Sequence, residues 1–182
     1  MENISVKLPD GSIKQLPKGS TGLDLALSIG PGLAKDAVAI EINNIQKDLS
    51  DTLEDNASVS IITIKSNEGL KIMRHTLTAQ VLASAIKNLY PDAKLAIGPT
   101  IEDGFYYDFL PTKPVSIDDL PLIEKEMNSI LADKSSINKT YHTKKEAISL
   151  FDDQEETFKA EIISDSEQND NFQIYTQESS GF

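Results

Sequence analysis

Residues 97–109 read Ile-Gly-Pro-Thr-Ile-Glu-Asp-Gly-Phe-Tyr-Tyr-Asp-Phe. Gly98-Pro99 marks one turn and Glu102-Asp103-Gly104 another, followed by an aromatic run with the carboxylate Asp108 inside it. Three consecutive rings behind a glycine, which lets backbone approach a ligand closely, suit one wall of a pocket. They equally suit a hairpin whose rings fill a core. Other chemistry-bearing groups are sparse. His75 and His142 are the only histidines in 182 residues, and cysteine is absent. Disulfides, thiolate metal sites and a histidine-rich metal site are therefore excluded for this chain alone. Glu102 and Asp103 read more simply as turn residues. His142, in Thr-Tyr-His-Thr ahead of a capped helix, reads as a surface residue.

Composition narrows the classes further. Hydrophobic residues make up 39% and charged residues 25%, as in a soluble globular protein of one domain or two small ones. No apolar run approaches the roughly 20 residues needed to cross a bilayer, so no membrane partner is expected. The start, Met-Glu-Asn-Ile-Ser, lacks the basic and apolar regions of a secretory signal. With no cysteine, this fits a cytoplasmic location. The net charge of −12 argues against autonomous nucleic-acid binding, since phosphate contacts need Lys and Arg. The charge is uneven: Lys65, Lys71, Arg74, Lys87 and Lys94 face only Glu68 and Asp92 between residues 65 and 94, whereas Lys159 is the single cation after residue 145. The basic set reads as a solvated helix face or a local RNA contact.

The elements that must position these groups fall into two units, residues 1–64 and 65–182. In the first, Ile4, Val6 and Leu8 alternate as a half-buried strand does, and Pro9-Asp10-Gly11 turns the chain into a returning arm at Ile13 to Leu16. Ser20 or Thr21 caps a short helix with Leu23, Leu25, Ala26 and Ile29 facing inward, and Gly30-Pro31-Gly32 stops it. Strands are expected at 37–42, 45–49 and 59–64. The order β-β-α-β-β-β suits a small mixed sheet packed on one helix. In the other unit, Asn67 caps a long helix to about Leu89, with Leu70, Met73, Leu77, Val81, Ile86 and Leu89 as its apolar stripe. Strands follow at 94–97 and 104–109. Ser116 with Asp119, and Thr143 with Glu146, resemble capping boxes for helices to about Ala132 and Phe151. Residues 159–163 and 172–175 read as strands and 164–171 as a loop.

Residues 1–64 resemble a TGS domain, a small β-grasp module. The carrying residues are Leu8-Pro9-Asp10-Gly11-Ser12, Leu23-Asp24-Leu25-Ala26, Gly32-Leu33-Ala34-Lys35 and Ile61-Ile62-Thr63. Residues 65–182, placed directly after such a domain, resemble the adjoining region of the bacterial threonyl-tRNA synthetases. They carry Arg74-His75, Leu89-Tyr90-Pro91-Asp92-Ala93-Lys94, the 97–109 segment, Asp119-Leu120, Ile123-Glu124-Lys125, Met127, Glu146-Ala147, Phe151 and Phe158-Lys159. The resemblance implies an α+β chain: a β-grasp TGS domain, then a mixed α+β editing domain with a long helix against an antiparallel sheet. It also implies an activity, hydrolysis of serine wrongly attached to threonine tRNA. Threonine and serine differ by one methyl group, which binding discriminates by only roughly 1–3 kcal/mol, so a separate site must remove the error.

The family's pocket uses a helix-borne His-x-x-x-His pair, a later Cys-x-x-x-His, a Lys and the aromatic strand. Counted back from Ala85-Ile86-Lys87, the two helix slots fall here on Thr76 and Gln80, neither of which is a general base near neutral pH. His75 lies one position early, and His75 and Gln80 are about 140° apart on an ideal helix, off a common face. A one-residue bulge would move His75 into the first slot. Tyr107 matches the latter Tyr of the aromatic strand, Asp108 follows it, and Lys159 matches the editing Lys. The bland alternatives are a structural His75, a core Tyr107 and a solvated Lys159. In the family, a segment like 178–182 is followed directly by the Cys-x-x-x-His, so these residues are expected to be a fragment with weakened or altered editing. No cofactor is expected in it; ATP, magnesium and zinc belong to the family's catalytic core, as does the homodimer interface. Its expected partner is threonine tRNA, through the full-length enzyme. The alternative function is a non-catalytic, TGS-containing binding or regulatory module.

Overall fold

The computed structural model describes residues 2–133 and 135–177. The chain forms two compact units, Met1–Met73 and Arg74–Phe182. The fold is α+β.

In the first unit, β1 (Asn3–Lys7) and β2 (Ile13–Pro17) form an antiparallel hairpin. Asp10 holds its turn by accepting from the Ser12 hydroxyl at 2.6 Å and the Ser12 N–H at 2.9 Å. Ile4 and Val6 are buried from alternate positions of β1, as the period-2 pattern expects. Thr21 caps α1 (Gly22–Ile29) in a full capping box with Asp24. Leu25 and Ala26 are buried, whereas Leu23 and Ile29, expected inside, are exposed. Only about two residues per turn of so short a helix can face one sheet. The helix closes on the sheet at Gly22, where a Cβ would come within 2.7 Å of the Ile40 side chain.

Gly30-Pro31-Gly32 ends α1 as expected, with Gly30 as its C-cap and its N–H bonded to the Ala26 carbonyl. The same segment starts another short helix, α2 (Pro31–Asp36), with Pro31 in the first turn, where its missing N–H costs nothing. Then β3 (Ala37–Ile42) pairs antiparallel with both β4 (Ile45–Lys47) and β5 (Val59–Thr63). A parallel bridge from Lys7 to Ser58 joins the hairpin to this sheet. The mixed sheet and its helix are the β-grasp arrangement, closed over Ile4, Val6, Leu16, Leu25, Ile40, Leu53 and Val59.

The next helix is capped one residue earlier than the sequence pattern suggests. The Ser66 hydroxyl accepts from the Gly69 N–H at 3.0 Å, so Ser66 and not Asn67 caps α3 (Asn67–Thr76). Leu70 and Met73 are exposed on it, contrary to the expected stripe. The boundary of the compact units falls within α3. A π-helix, Leu77–Leu82, separates α3 from α4 (Ala83–Leu89).

In the C-terminal unit the backbone from residue 94 to 110 forms an interrupted antiparallel hairpin. β6 (Lys94–Leu95) pairs with β9 (Phe109–Leu110), and β7 (Thr100–Ile101) with β8 (Gly104–Phe105). Ala96 N–H to Asp108 O at 3.0 Å and Asp108 N–H to Ile97 O at 2.8 Å continue the ladder between them. The two longer strands expected here are thus four short ones, interrupted around Gly98-Pro99, where only the Tyr106 N–H to Pro99 carbonyl bond at 3.4 Å spans the gap.

Ser116 and Asp119 form the expected capping box, at a single 3-10 turn, Ile117–Asp119, that leads into α5 (Leu120–Asp133). Ile123 and Ile130 of α5 are buried, while Leu120 is exposed. β10 (Ile137–His142), which the sequence pattern does not reveal, pairs antiparallel with β11 (Phe172–Gln177). Thr143 and Glu146 box the start of α6 (Lys144–Asp153). Residues 159–163, expected as a strand, lie in a helix, α7 (Thr157–Asp165). Its β-branched isoleucines mislead the pattern, and the backbone bonds from Lys159 and Ala160 to Glu156 start helical turns instead.

Candidate functional site

The π-helix decides where His75 and Gln80 point. Its extra residue is visible where the Ala83 N–H reaches back five residues to the Thr78 carbonyl. In an α-helix, positions five apart face different directions; i→i+5 winding brings them back to one side. His75 and Gln80 accordingly line the same cavity, with Ala79 and Ala83 between and beyond them. The 140° separation drawn from an ideal helix does not hold here. Thr76, in the first slot when residues are simply counted, is not among the lining residues, because the inserted residue turns it away.

The cavity holds about 590 Å³ and lies within the C-terminal unit. Facing the helix is the interrupted hairpin, which supplies a wall from Ala96 through Pro99 and across to Tyr107. Side chains alternate along the aromatic run: Tyr106 is exposed, while Tyr107 and Phe109 pack on the cluster of Ala83, Ile86, Leu95 and Ile123. Tyr107 is therefore a core ring on one side and a cavity wall on the other, so both readings of the aromatic run hold. Burial first, and then the Glu156 charge, push its hydroxyl up to about 12, so it is a neutral hydrogen-bond donor. Asp108 is exposed and contributes backbone to the ladder. Glu102 and Asp103 turn the small hairpin, and the Glu102 carbonyl accepts from Arg74 Nη1 at 2.6 Å.

The remaining wall comes from α6, α7 and β11. Phe151 and Lys159 both line the cavity, with the Lys159 ammonium 5.3 Å from the centre of the Phe151 ring. Burial draws the Lys159 amine below its ordinary value; Glu156 opposes that and Lys87 adds to it. Phe172, Ile174 and Thr176 of β11 complete an apolar face. His142 ends β10, with Nε2 2.9 Å from the Thr140 hydroxyl, and does not line the cavity.

Sequence reasoning misses Glu156 and Lys87. Glu156 has no exposed surface, and its carboxylate meets Lys87 Nζ at 2.7 Å and the Leu95 N–H at 3.2 Å. In sequence it is one of several acidic residues from Asp152 onward, and nothing local separates it from its solvated neighbours. Among the described residues no group of three His, Cys, Asp or Glu side chains could hold a metal ion, and no helix is long and apolar enough to cross a membrane. The expected lead-in to the Cys-x-x-x-His, residues 178–182, lies outside the described residues.

Residues 4–63 match the TGS domain family. The chain is 42% identical over 177 residues to a threonine–tRNA ligase of Oceanobacillus iheyensis, covering 97% of this chain and 27% of that protein. It is 46% identical over 165 residues to the enzyme of Pelobacter propionicus, covering 91% and 26% respectively. With the enzyme of Rhodopseudomonas palustris it shares 39% identity over 177 residues. The chain spans about a quarter of the length of the relatives it matches.

Proposed function

Because the chain carries a TGS domain and is homologous to the N-terminal region of threonine–tRNA ligases across 91–97% of its length, we propose that it is the TGS and editing region of such a ligase, with weakened editing. On this reading residues 65–182 are the editing domain, and its cavity receives the aminoacyl end of threonine tRNA mischarged with serine. The parent enzyme acts in the cytoplasm as a class II ligase and homodimer, with ATP, magnesium and zinc in a core outside these residues. The geometric observation that supports the editing reading is the convergence of His75, Gln80, Tyr107 and Lys159 on one cavity.

The reaction is hydrolysis of an ester. Water attacks the seryl carbonyl, and the ribose oxygen leaves with a proton. His75 is the one imidazole on the cavity and can hold the attacking water as a hydrogen-bond acceptor. Gln80 can orient a water or the substrate but cannot take its proton near neutral pH. Tyr107 offers a neutral O–H donor, and Lys159 a cation for the ester or a phosphate. One imidazole in place of a pair is the reason for weakened hydrolysis. The test is deacylation of seryl-tRNA by the full-length enzyme, with His75→Ala and Gln80→Ala variants. Slow hydrolysis, reduced further in His75→Ala, is expected. Rapid hydrolysis abolished by Gln80→Ala sinks weakened editing, and a reading frame without a synthetase core favours a binding module.

A further inference from the structure

The outer part of the interrupted hairpin has little of its own to hold it. β7 and β8 have two residues each, and so short a ribbon is marginal in water. Beneath it the ladder is broken. Pro99 has no N–H to give, and the Tyr106 N–H reaches the Pro99 carbonyl only at 3.4 Å. Residues 99–106 therefore form a tip that can swing about Gly98-Pro99. Gly98 and Pro99 line the cavity, so a swing of the tip moves the cavity wall.

The helical segment from Arg74 to Thr78 meets this hairpin at two points. At the base, Gly98 packs against the Thr78 methyl. At the far end, Arg74 Nη1 donates to the Glu102 carbonyl at 2.6 Å. The two anchors stand one helical turn apart and are joined, since the Thr78 hydroxyl donates to the Arg74 carbonyl at 2.7 Å. Among the described residues, no other hydrogen bond or ion pair reaches residues 99–105 from outside the hairpin. Ordering a long arginine side chain costs rotamer freedom that one neutral acceptor hardly returns, so this bond adds little to global stability. What it supplies is a fixed place for the tip.

We propose that Arg74 is a positioning residue of the cavity: it latches the hairpin tip to the helix that carries His75, and so fixes the Gly98-Pro99 wall relative to that imidazole. The value of this to the site rests on the deacylation reading above. His75 and the wall both border the cavity, and a displacement of about 1 Å between groups that hold a reacting water and its ester can cost about 10²-fold in rate. The acceptor is main chain, so the latch does not depend on the Glu102 carboxylate.

The test is amide hydrogen exchange, read residue by residue by NMR in the 182-residue chain. Arg74→Met keeps the helix propensity and the apolar stem but removes the donors. In it the Tyr106 amide and the bonded amides of β7 and β8 are expected to exchange about tenfold faster, the scale of one charge-assisted hydrogen bond. The Ala96 and Asp108 amides, on the other side of the gap, are expected to keep their wild-type rates. A tip that is unprotected in the wild type, or equally protected in Arg74→Met, overturns the proposal. So does an equal acceleration at Ala96 and Asp108, which would make Arg74 a support of the whole unit and not a latch. Glu102→Ala is expected to exchange as the wild type does; acceleration matching that of Arg74→Met would show that the carboxylate is what Arg74 holds, and would overturn the proposal too. If Arg74→Met does not fold, Arg74→Gln, whose shorter side chain falls short of the carbonyl, is read with the same expectation. The exchange needs neither tRNA nor turnover, so it can fail while the deacylation test succeeds, and the reverse.

Discussion

Gly98 faces the ring of Tyr107 so closely that a Cβ at residue 98 would overlap it, and the Thr78 methyl closes the same space from the π-helix. The cavity wall is therefore set by an absent side chain. Thr78 is completely buried, and its hydroxyl donates to the Arg74 carbonyl at 2.7 Å, so it has little room to yield. Gly98→Ala is expected to destabilise the C-terminal unit by about 1–3 kcal/mol through overpacking. Thr78→Ser, which removes the opposing methyl, should recover part of that loss. Urea denaturation of the two single variants and the double measures both effects.

The Lys87–Glu156 pair makes an asymmetric prediction. Removing one partner strands a buried charge, so Lys87→Met alone should cost about 3–5 kcal/mol. Lys87→Met/Glu156→Gln should recover much of it, because no charge is left uncompensated. A double-mutant cycle by chemical denaturation reads the coupling; simple additivity would show that the pair is not buried as described.

Two capping boxes give the C-terminal unit an acid limb. The backbone N–H and hydroxyl of Ser116 hold Asp119 below its ordinary 3.8, and those of Thr143 hold Glu146 below its ordinary 4.5. A lowered native value means that the unfolded chain binds the proton more readily. The stabilisation is full above the ordinary values and is lost as pH falls through the lowered native ones. Glu146→Gln should therefore weaken the fold near neutral pH and cease to matter in strong acid. Thermal melts of both proteins across that range check the convergence.

Tyr107 sets an alkaline limb of opposite sense. Its phenol is raised from 10.0 to about 12, so the native state keeps the proton that the unfolded chain releases. Its contribution to stability is full below pH 10.0 and is lost as pH rises through about 12. Phenolate absorbance should show one tyrosine of the five ionising last, and Tyr107→Phe should remove that step.

Local chemistry makes much of this fold readable. The Asp10 turn, the capping boxes at Ser116 and Thr143 and the alternation of Ile4 with Val6 each follow from neighbouring residues, and the ordered motifs carry the family resemblance. Longer-range physics hides the rest. Residues 159–163 look like a strand because isoleucines favour one, but α7 is fixed by packing and by Glu156. Leu23, Leu70 and Leu120 fit apolar stripes yet are exposed, because periodicity marks a face and not what packs on it. At the site, the aromatic run marks Tyr107 as either pocket wall or core, and Lys159 is legible only through the resemblance. The convergence of His75 with Gln80 is legible only as a possible bulge, since a π-turn leaves no fixed mark in composition. Glu156 has no signal, because burial is not a property of an acidic run.

On the proposed function, the cavity hydrolyses the seryl ester weakly because Gln80 occupies the position of a further imidazole. The most direct measurement is the single-turnover rate of seryl-tRNA deacylation by full-length enzyme carrying Gln80→His, compared with wild type. A positioned general base contributes on the order of 10²-fold or more, so Gln80→His is expected to raise the rate by about that factor, and His75→Ala to abolish the gain. A correctly folded Gln80→His enzyme that deacylates no faster than wild type would contradict the account.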